Sequence, residues 1–112
     1  FKTLVTQGKS KNYYVFMVPV AEELDLKKAA RAVGQKSLAM LHVKDINGVT
    51  GYIRGGCTAI GMKKQYRTVI EKKAEALPTV IVSGGRIGSQ IELAPADLAK
   101  AAEARFEDVV TE

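Results

Sequence analysis

The chain has 112 residues, of which 46% are hydrophobic and 26% are charged, and its formal net charge is +5 at pH 7. This size fits one globular domain with a modest core, and the absence of any run of about 18 apolar residues excludes a membrane-spanning helix. A single cysteine excludes an internal disulfide, so we expect a reducing, cytoplasmic location.

Charge is unevenly distributed along the chain. Residues 95–112 hold five acidic and two basic residues, whereas residues 1–94 hold fifteen basic and seven acidic ones, a net charge of +8. A basic body of this kind indicates a polyanionic partner, and RNA is the first candidate. Ordinary solubilising charge is the alternative interpretation.

The N-terminal segment predicts a β-hairpin. Residues 1–6 have strand composition, residues 8–12 form a turn, and residues 13–18 are apolar throughout, which indicates a strand buried on both faces. Lys2 lies inside the first strand. It is either a solvent-facing lysine of an alternating strand or a cation that projects into a pocket.

A helix is predicted next. Asp25 has the character of an N-cap, and Gly34 fits the C-terminal cap. One face is apolar (Leu26, Ala29, Ala30 and Val33) and the other is basic (Lys27, Lys28 and Arg31). A basic helix face is usually only solvated. Residues 38–41 predict a short strand.

The run from Thr50 to Lys64 contains four glycines and is the most informative stretch of the chain. It matches neither the P-loop nor the dinucleotide fingerprint. Glycines and small residues expose backbone N–H groups that can hold a phosphate or an oxyanion. Candidate positions are Gly55, Gly56, Thr58 and Gly61. The basic residues Lys63, Lys64 and Arg67 follow, and we expect them to contribute to RNA binding. The alternative is a surface loop that only joins two elements.

The C-terminal half predicts a strand over residues 66–70 and another over 79–82. The second strand leads into Ser83, Gly84 and Gly85 and pairs with residues 90–93 as a hairpin. Pro95 suits the first position of a helix that continues to Ala104, and residues 106–110 predict a last edge strand. Strands and helices that do not alternate strictly indicate an α+β domain.

The chain has few side chains that could act as a nucleophile or bind a metal ion. His42 and Cys57 are the only histidine and cysteine, so a His-based metal cluster is excluded, and we expect no cofactor. A Cys–His pair is arithmetically possible, but a lone cysteine beside glycines is more often a packed residue. Lys2 and the two glycine turns could instead converge at one end of a sheet, where positioning and backbone dipoles would do the catalytic work. The alternative is two unrelated turns.

Several segments, in order along the whole chain, resemble the YbaK/EbsC family, which is similar to the editing domain inserted in bacterial prolyl-tRNA synthetases. They are residues 1–4, 26–30, 50–57, 60–61, 82–85 and 91–98. The resemblance implies a single editing domain over residues 1–112 that lacks its N-terminal portion, with a mixed, barrel-like sheet flanked by helices. It also implies that Lys2 is the essential lysine, Gly55 the loop glycine and Ser83 the serine of the second turn.

The function implied by the resemblance is trans-editing, the removal of cysteine from Cys-tRNA(Pro) and also from Cys-tRNA(Cys). The resemblance also implies that the substrate thiol attacks its own ester, in which case the protein needs no nucleophile. The implied partners are aminoacyl-tRNA and prolyl-tRNA synthetase, with Gly56, Thr58, Gly61, Gly84 and Gly85 around the substrate. Two alternatives stay open: a deacylase for another small aminoacyl group, such as Ala-tRNA(Pro), and a non-catalytic module that binds RNA or a synthetase.

Overall fold

The computed structural model describes residues 1–9, 12–41, 67–83 and 90–111. In chain order these residues form strands β1 (Lys2–Gly8) and β2 (Tyr13–Val18), helix α1 (Leu26–Ala32), strands β3 (Leu38–Met40) and β4 (Arg67–Glu71), a 3₁₀ helix (Lys72–Ala76), strands β5 (Val80–Ser83) and β6 (Gln90–Leu93), helix α2 (Pro95–Ala102), and strand β7 (Ala104–Glu107).

Five of the strands form one mixed sheet in the order β3-β1-β2-β4-β7. β1 pairs antiparallel with both β2 and β3, whereas β4 is parallel to β2 and β7 is parallel to β4. β5 and β6 form a separate antiparallel hairpin. The α+β class, the N-terminal hairpin and the mixed sheet flanked by helices are therefore confirmed.

β2 lies at the centre of the sheet, and its side chains supply the core on both sides. Tyr14, Phe16 and Val18 pack with α1 residues in one cluster, while Val15 and Met17 pack with β5 and α2 residues in another. All five side chains are buried, as the uninterrupted apolar run predicts. We call the two sides of the sheet the α1 face and the α2 face.

Helix α1 has the predicted caps. The Asp25 carboxylate accepts hydrogen bonds from the backbone N–H groups of Lys27 and Lys28, at 2.9 and 3.2 Å. At the other end Gly34 has φ +72° and Gln35 N donates to Ala30 O at 2.8 Å, the bond that closes a Schellman motif. A left-handed residue is required there, which explains the glycine.

A buried carboxylate joins three segments that the sequence did not connect. Glu71, at the end of β4, is 1% exposed. Its Oε2 accepts from Lys73 N at 2.6 Å and its Oε1 accepts from Val109 N at 3.1 Å. Because a buried charge without partners is strongly destabilising, these two bonds fix the 3₁₀ helix and the C-terminal segment against β4.

The C-terminal elements differ from prediction at their boundaries. The helix predicted to reach Ala104 ends at Ala102, because Glu103 adopts a left-handed conformation with φ 53°. The predicted edge strand over residues 106–110 begins earlier, as β7 at Ala104–Glu107, and Val110 forms only an isolated bridge with Leu24. β7 does lie at the sheet edge. None of the described helices is long and apolar enough to cross a membrane.

Asp25→Ala removes the N-cap of α1 and should lower the free energy of unfolding by about 1 kcal/mol. Urea denaturation followed by circular dichroism measures this loss. Asp97→Ala is the matched control, since Asp97 lies in the first turn of α2 without being its N-cap. Equal destabilisation by the two substitutions would contradict the role given to the Asp25 cap.

Candidate active site

Lys2 is the first residue of β1 and lies opposite Val18 of β2. It is partly buried, so it is not a fully solvent-facing strand lysine. Side chains alternate along a strand, and Leu4, two residues on, packs against the α1-face cluster. Lys2 is therefore at the end of β1 on the α1 face of the sheet.

The start of β1 is joined directly to β5. The backbone nitrogen of Phe1 donates to Ile81 O at 2.7 Å, across 80 residues of sequence. Lys2 follows Phe1 and Ser83 is two residues beyond Ile81, so chain geometry limits the distance between the Cα atoms of Lys2 and Ser83 to about 14 Å. The fold thus brings the main chains of two segments that are far apart in sequence close together, with Lys2 on the α1 face and the β5 core residues Val80 and Val82 on the α2 face.

The β5–β6 hairpin that carries Ser83 is anchored to the core. Val80 and Val82 are buried in the α2-face cluster, and Thr79 Oγ1 hydrogen-bonds Glu92 Oε2 at 2.7 Å near the far end of the hairpin. Ser83 pairs with Gln90 at the last position of the strand. The main chain at Ser83 is consequently placed by a packed strand that leads into the second glycine turn.

Thr3 is a polar group beside Lys2 that sequence reasoning did not single out. Its Oγ1 is buried and has no hydrogen-bond partner among the residues that the structure describes. Such orphan hydroxyls are uncommon in folded proteins. A threonine in a strand gives no sequence signal of this kind, because only the fold shows which hydroxyls lack partners.

Most of the predicted glycine cradle lies outside the described residues. This holds for Gly55, Gly56, Thr58, Gly61, Lys63, Lys64, Gly84 and Gly85, and also for His42 and Cys57. Their proposed roles stay predictions. Among the residues that are described, no group of three His, Cys, Asp or Glu side chains is arranged to hold a metal ion.

Arg67 is described, and it lies away from Lys2. It is exposed at the start of β4, opposite Tyr14, whereas Lys2 is opposite Val18. Tyr14 and Val18 are four residues apart on β2, which corresponds to roughly 13 Å along the strand. Arg67 is thus placed toward the other end of the sheet, and an RNA contact there stays a prediction.

Comparison with known proteins identifies the family. Residues 1–101 match the aminoacyl-tRNA editing domain family. The chain belongs to this family. Aminoacyl-tRNA is accordingly the substrate class, in agreement with the expected partner.

Individual relatives agree with the YbaK/EbsC resemblance. The chain is 48% identical to EbsC of Enterococcus faecalis, named as a candidate Cys-tRNA(Pro)/Cys-tRNA(Cys) deacylase, over 99% of this chain and 68% of the relative. A crystal structure of a candidate trans-editing enzyme for prolyl-tRNA synthetase has a TM-score of 0.90 at 26% identity, covering 99% of this chain and 69% of that one. A hypothetical protein, 22% identical, shares the fold with a TM-score of 0.89 over 98% and 73% of the two chains.

The proximity of Lys2 and Ser83 is open to direct measurement. Spin labels attached in a Lys2→Cys/Ser83→Cys variant, with Cys57 replaced by Ser, should show dipolar broadening, because the two Cα atoms lie within about 14 Å. The two singly labelled variants are the controls. A doubly labelled spectrum equal to the sum of the two single ones would contradict the placement.

Proposed function

We propose that this protein is a trans-editing deacylase that removes cysteine from mischarged Cys-tRNA(Pro) and also acts on Cys-tRNA(Cys). The observation that carries the proposal is the 48% identity, over nearly the whole chain, to a protein named for that activity. In this proposal residues 1–112 act as one editing domain in the cytoplasm. Prolyl-tRNA synthetase is the proposed partner, because the similar trans-editing protein is described in relation to that synthetase.

The proposed nucleophile is the substrate's own thiol. Its sulfur forms a bond to the ester carbonyl carbon, and the bond between that carbon and the ribose oxygen breaks. The thiol proton ends on the ribose oxygen, which yields intact tRNA and a cyclic thioester. A thiol is a strong nucleophile even when only a few per cent is ionised at neutral pH, and holding it in a near-attack geometry supplies a large effective molarity.

The protein groups in this scheme bind and stabilise charge. Lys2, which is partly buried at the start of β1, is assigned to offer its ammonium group to an ester or phosphate oxygen. Backbone N–H groups near Ser83 and Gly55 are assigned to the oxyanion that develops on the carbonyl oxygen. Such preorganised donors stabilise the transition state more than the ground state, which is what raises the rate.

Lys2→Ala should reduce kcat/KM for Cys-tRNA(Pro) by at least about 10²-fold, the usual loss when one oxyanion-stabilising donor is removed. The fold should persist, because Lys2 is at a strand end. Single-turnover deacylation and thermal unfolding measure the two effects. Lys9→Ala is the control, since Lys9 is exposed just beyond the other end of β1. Wild-type turnover by Lys2→Ala would overturn the assignment.

Substrate choice tests the thiol mechanism. Cys-tRNA(Pro) should be deacylated faster than Ser-tRNA(Pro) by on the order of 10²-fold or more, because a hydroxyl of nearly the same size is a far weaker nucleophile at neutral pH. Ala-tRNA(Pro) and Pro-tRNA(Pro), measured in the same assay, extend the comparison to side chains that have no nucleophile. Equal rates for cysteine and serine would favour an enzyme-activated water, and preferential loss of alanine would favour the Ala-tRNA(Pro) alternative.

A further inference from the structure

Helix α1 carries two exposed cations that do not stabilise the helix itself. Lys27 and Arg31 are four residues apart on the helix surface, and neither has an ion-pair partner among the residues that the structure describes. Like charges at this spacing destabilise a helix by a few tenths of a kcal/mol. Lys27 also lies in the first turn, where the helix dipole disfavours a positive charge.

A third cation, from β7, lies beside this helix. Arg105 is exposed, and its Nη2 donates to Ala32 O at the end of α1, at 3.4 Å. Arg105 is aligned with Val69 of β4, which belongs to the α1-face cluster. The Arg105 side chain is thus on the α1 face. Three cations from two elements therefore lie along one border of that face.

The surface beside these cations also contains two acidic residues, Glu107 and Asp108, and Asp108 forms an ion pair with Lys28. Lys28, Arg31, Glu107 and Asp108 line a surface cleft of about 270 Å³ between α1 and the end of β7. Lys28 Nζ contacts both carboxylate oxygens of Asp108, at 3.2 and 3.3 Å, and donates to Val110 O at 3.1 Å. Lys28 is thus occupied in holding the C-terminal segment, which leaves Lys27, Arg31 and Arg105 as the outward cations.

These cations share a face with the candidate catalytic lysine. Leu4, Phe16, Val69 and Arg105 form one row across the sheet. Three strand spacings separate Leu4 from Arg105, about 14 Å, and Lys2 is two residues along β1 from Leu4, about 7 Å. A polyanionic strand of a few nucleotides that ends at Lys2 is long enough to reach this border.

We propose that Lys27, Arg31 and Arg105 form a phosphate-binding surface for the tRNA whose aminoacylated end is bound at Lys2. This inference rests on the proposed function. It assigns part of the RNA-binding surface to exposed basic residues that a helix face in contact only with solvent would not need. Arginine suits the task because its guanidinium group binds phosphate in a bidentate manner. Each phosphate contact releases condensed counterions, which makes its contribution dependent on salt.

Arg31→Glu tests the surface, with Lys100→Glu as the matched control. Both residues are exposed and basic in the last turn of a helix, but Lys100 belongs to α2, which packs on the opposite face of the sheet. The dissociation constant for uncharged tRNA(Pro) should rise about tenfold in Arg31→Glu, and the slope of log K against log salt should fall by about 1. Lys100→Glu should stay within about twofold of wild type. Equal weakening in both variants, or none in Arg31→Glu, would overturn the proposal.

A second readout separates this surface from the deacylase proposal. In Arg31→Glu, kcat/KM should fall for Cys-tRNA(Pro) but stay at the wild-type value for 3′-O-cysteinyl adenosine, which has no phosphate backbone. A loss with both substrates would overturn the surface proposal and indicate damage to the catalytic site. A wild-type protein that deacylates neither substrate would overturn the proposed function, while the comparison of tRNA affinities would still decide the surface.

Discussion

The burial of β2 on both faces is the constraint on which the rest of the structure depends. Phe16 and Val18 require cover from α1, and Val15 and Met17 require cover from β5 and α2. Each fully buried side chain of this size contributes about 1.5–3 kcal/mol. Once β2 is central, its antiparallel partner β1 is fixed by six consecutive residue pairs, and Lys2 takes its place at the end of that ladder.

The second constraint is the contact between the beginning of β1 and β5. A single backbone hydrogen bond, from Phe1 N to Ile81 O, marks the position where the hairpin that carries Ser83 meets the strand that carries Lys2. Both segments are backed by buried residues, so the positions of these two candidate site residues depend on strands more than on loops. A reaction that relies on positioning benefits from such rigidity, because a misplacement of about 1 Å can reduce the rate 10²-fold.

Local sequence patterns predicted much of this fold, because the interactions behind them involve residues that are close together in the sequence. Asp25 and Gly34 cap α1 through bonds to residues within a few positions, and the apolar run of β2 reports burial directly. Glu71 was not predicted to bind Val109, because that bond joins residues 38 positions apart. The end of α2 was placed two residues too far, since alanine at positions 102 and 104 fits helix or strand and the left-handed Glu103 gives no sequence signal.

The candidate site was predicted less completely than the fold. Lys2 has two interpretations from strand alternation, and its proposed role comes from a resemblance, as does that of Ser83. The structure adds that the segment that carries Lys2 and the segment that carries Ser83 lie close together. The structure also adds the basic surface formed by Lys27, Arg31 and Arg105. A helical wheel alone describes the α1 cations as solvated, because only the register across four strands places Arg105 on the same face as Lys2.

In the proposed mechanism the substrate, and not the protein, supplies the nucleophile. The most direct test is rapid quenching of a single-turnover reaction of wild-type protein with Cys-tRNA(Pro), followed by mass spectrometry of the released product. A cyclic thioester, lighter than cysteine by one water, should appear first, and free cysteine should follow from its hydrolysis. Free cysteine formed without a lag, with no cyclic thioester at the earliest times, would rule out attack by the substrate thiol.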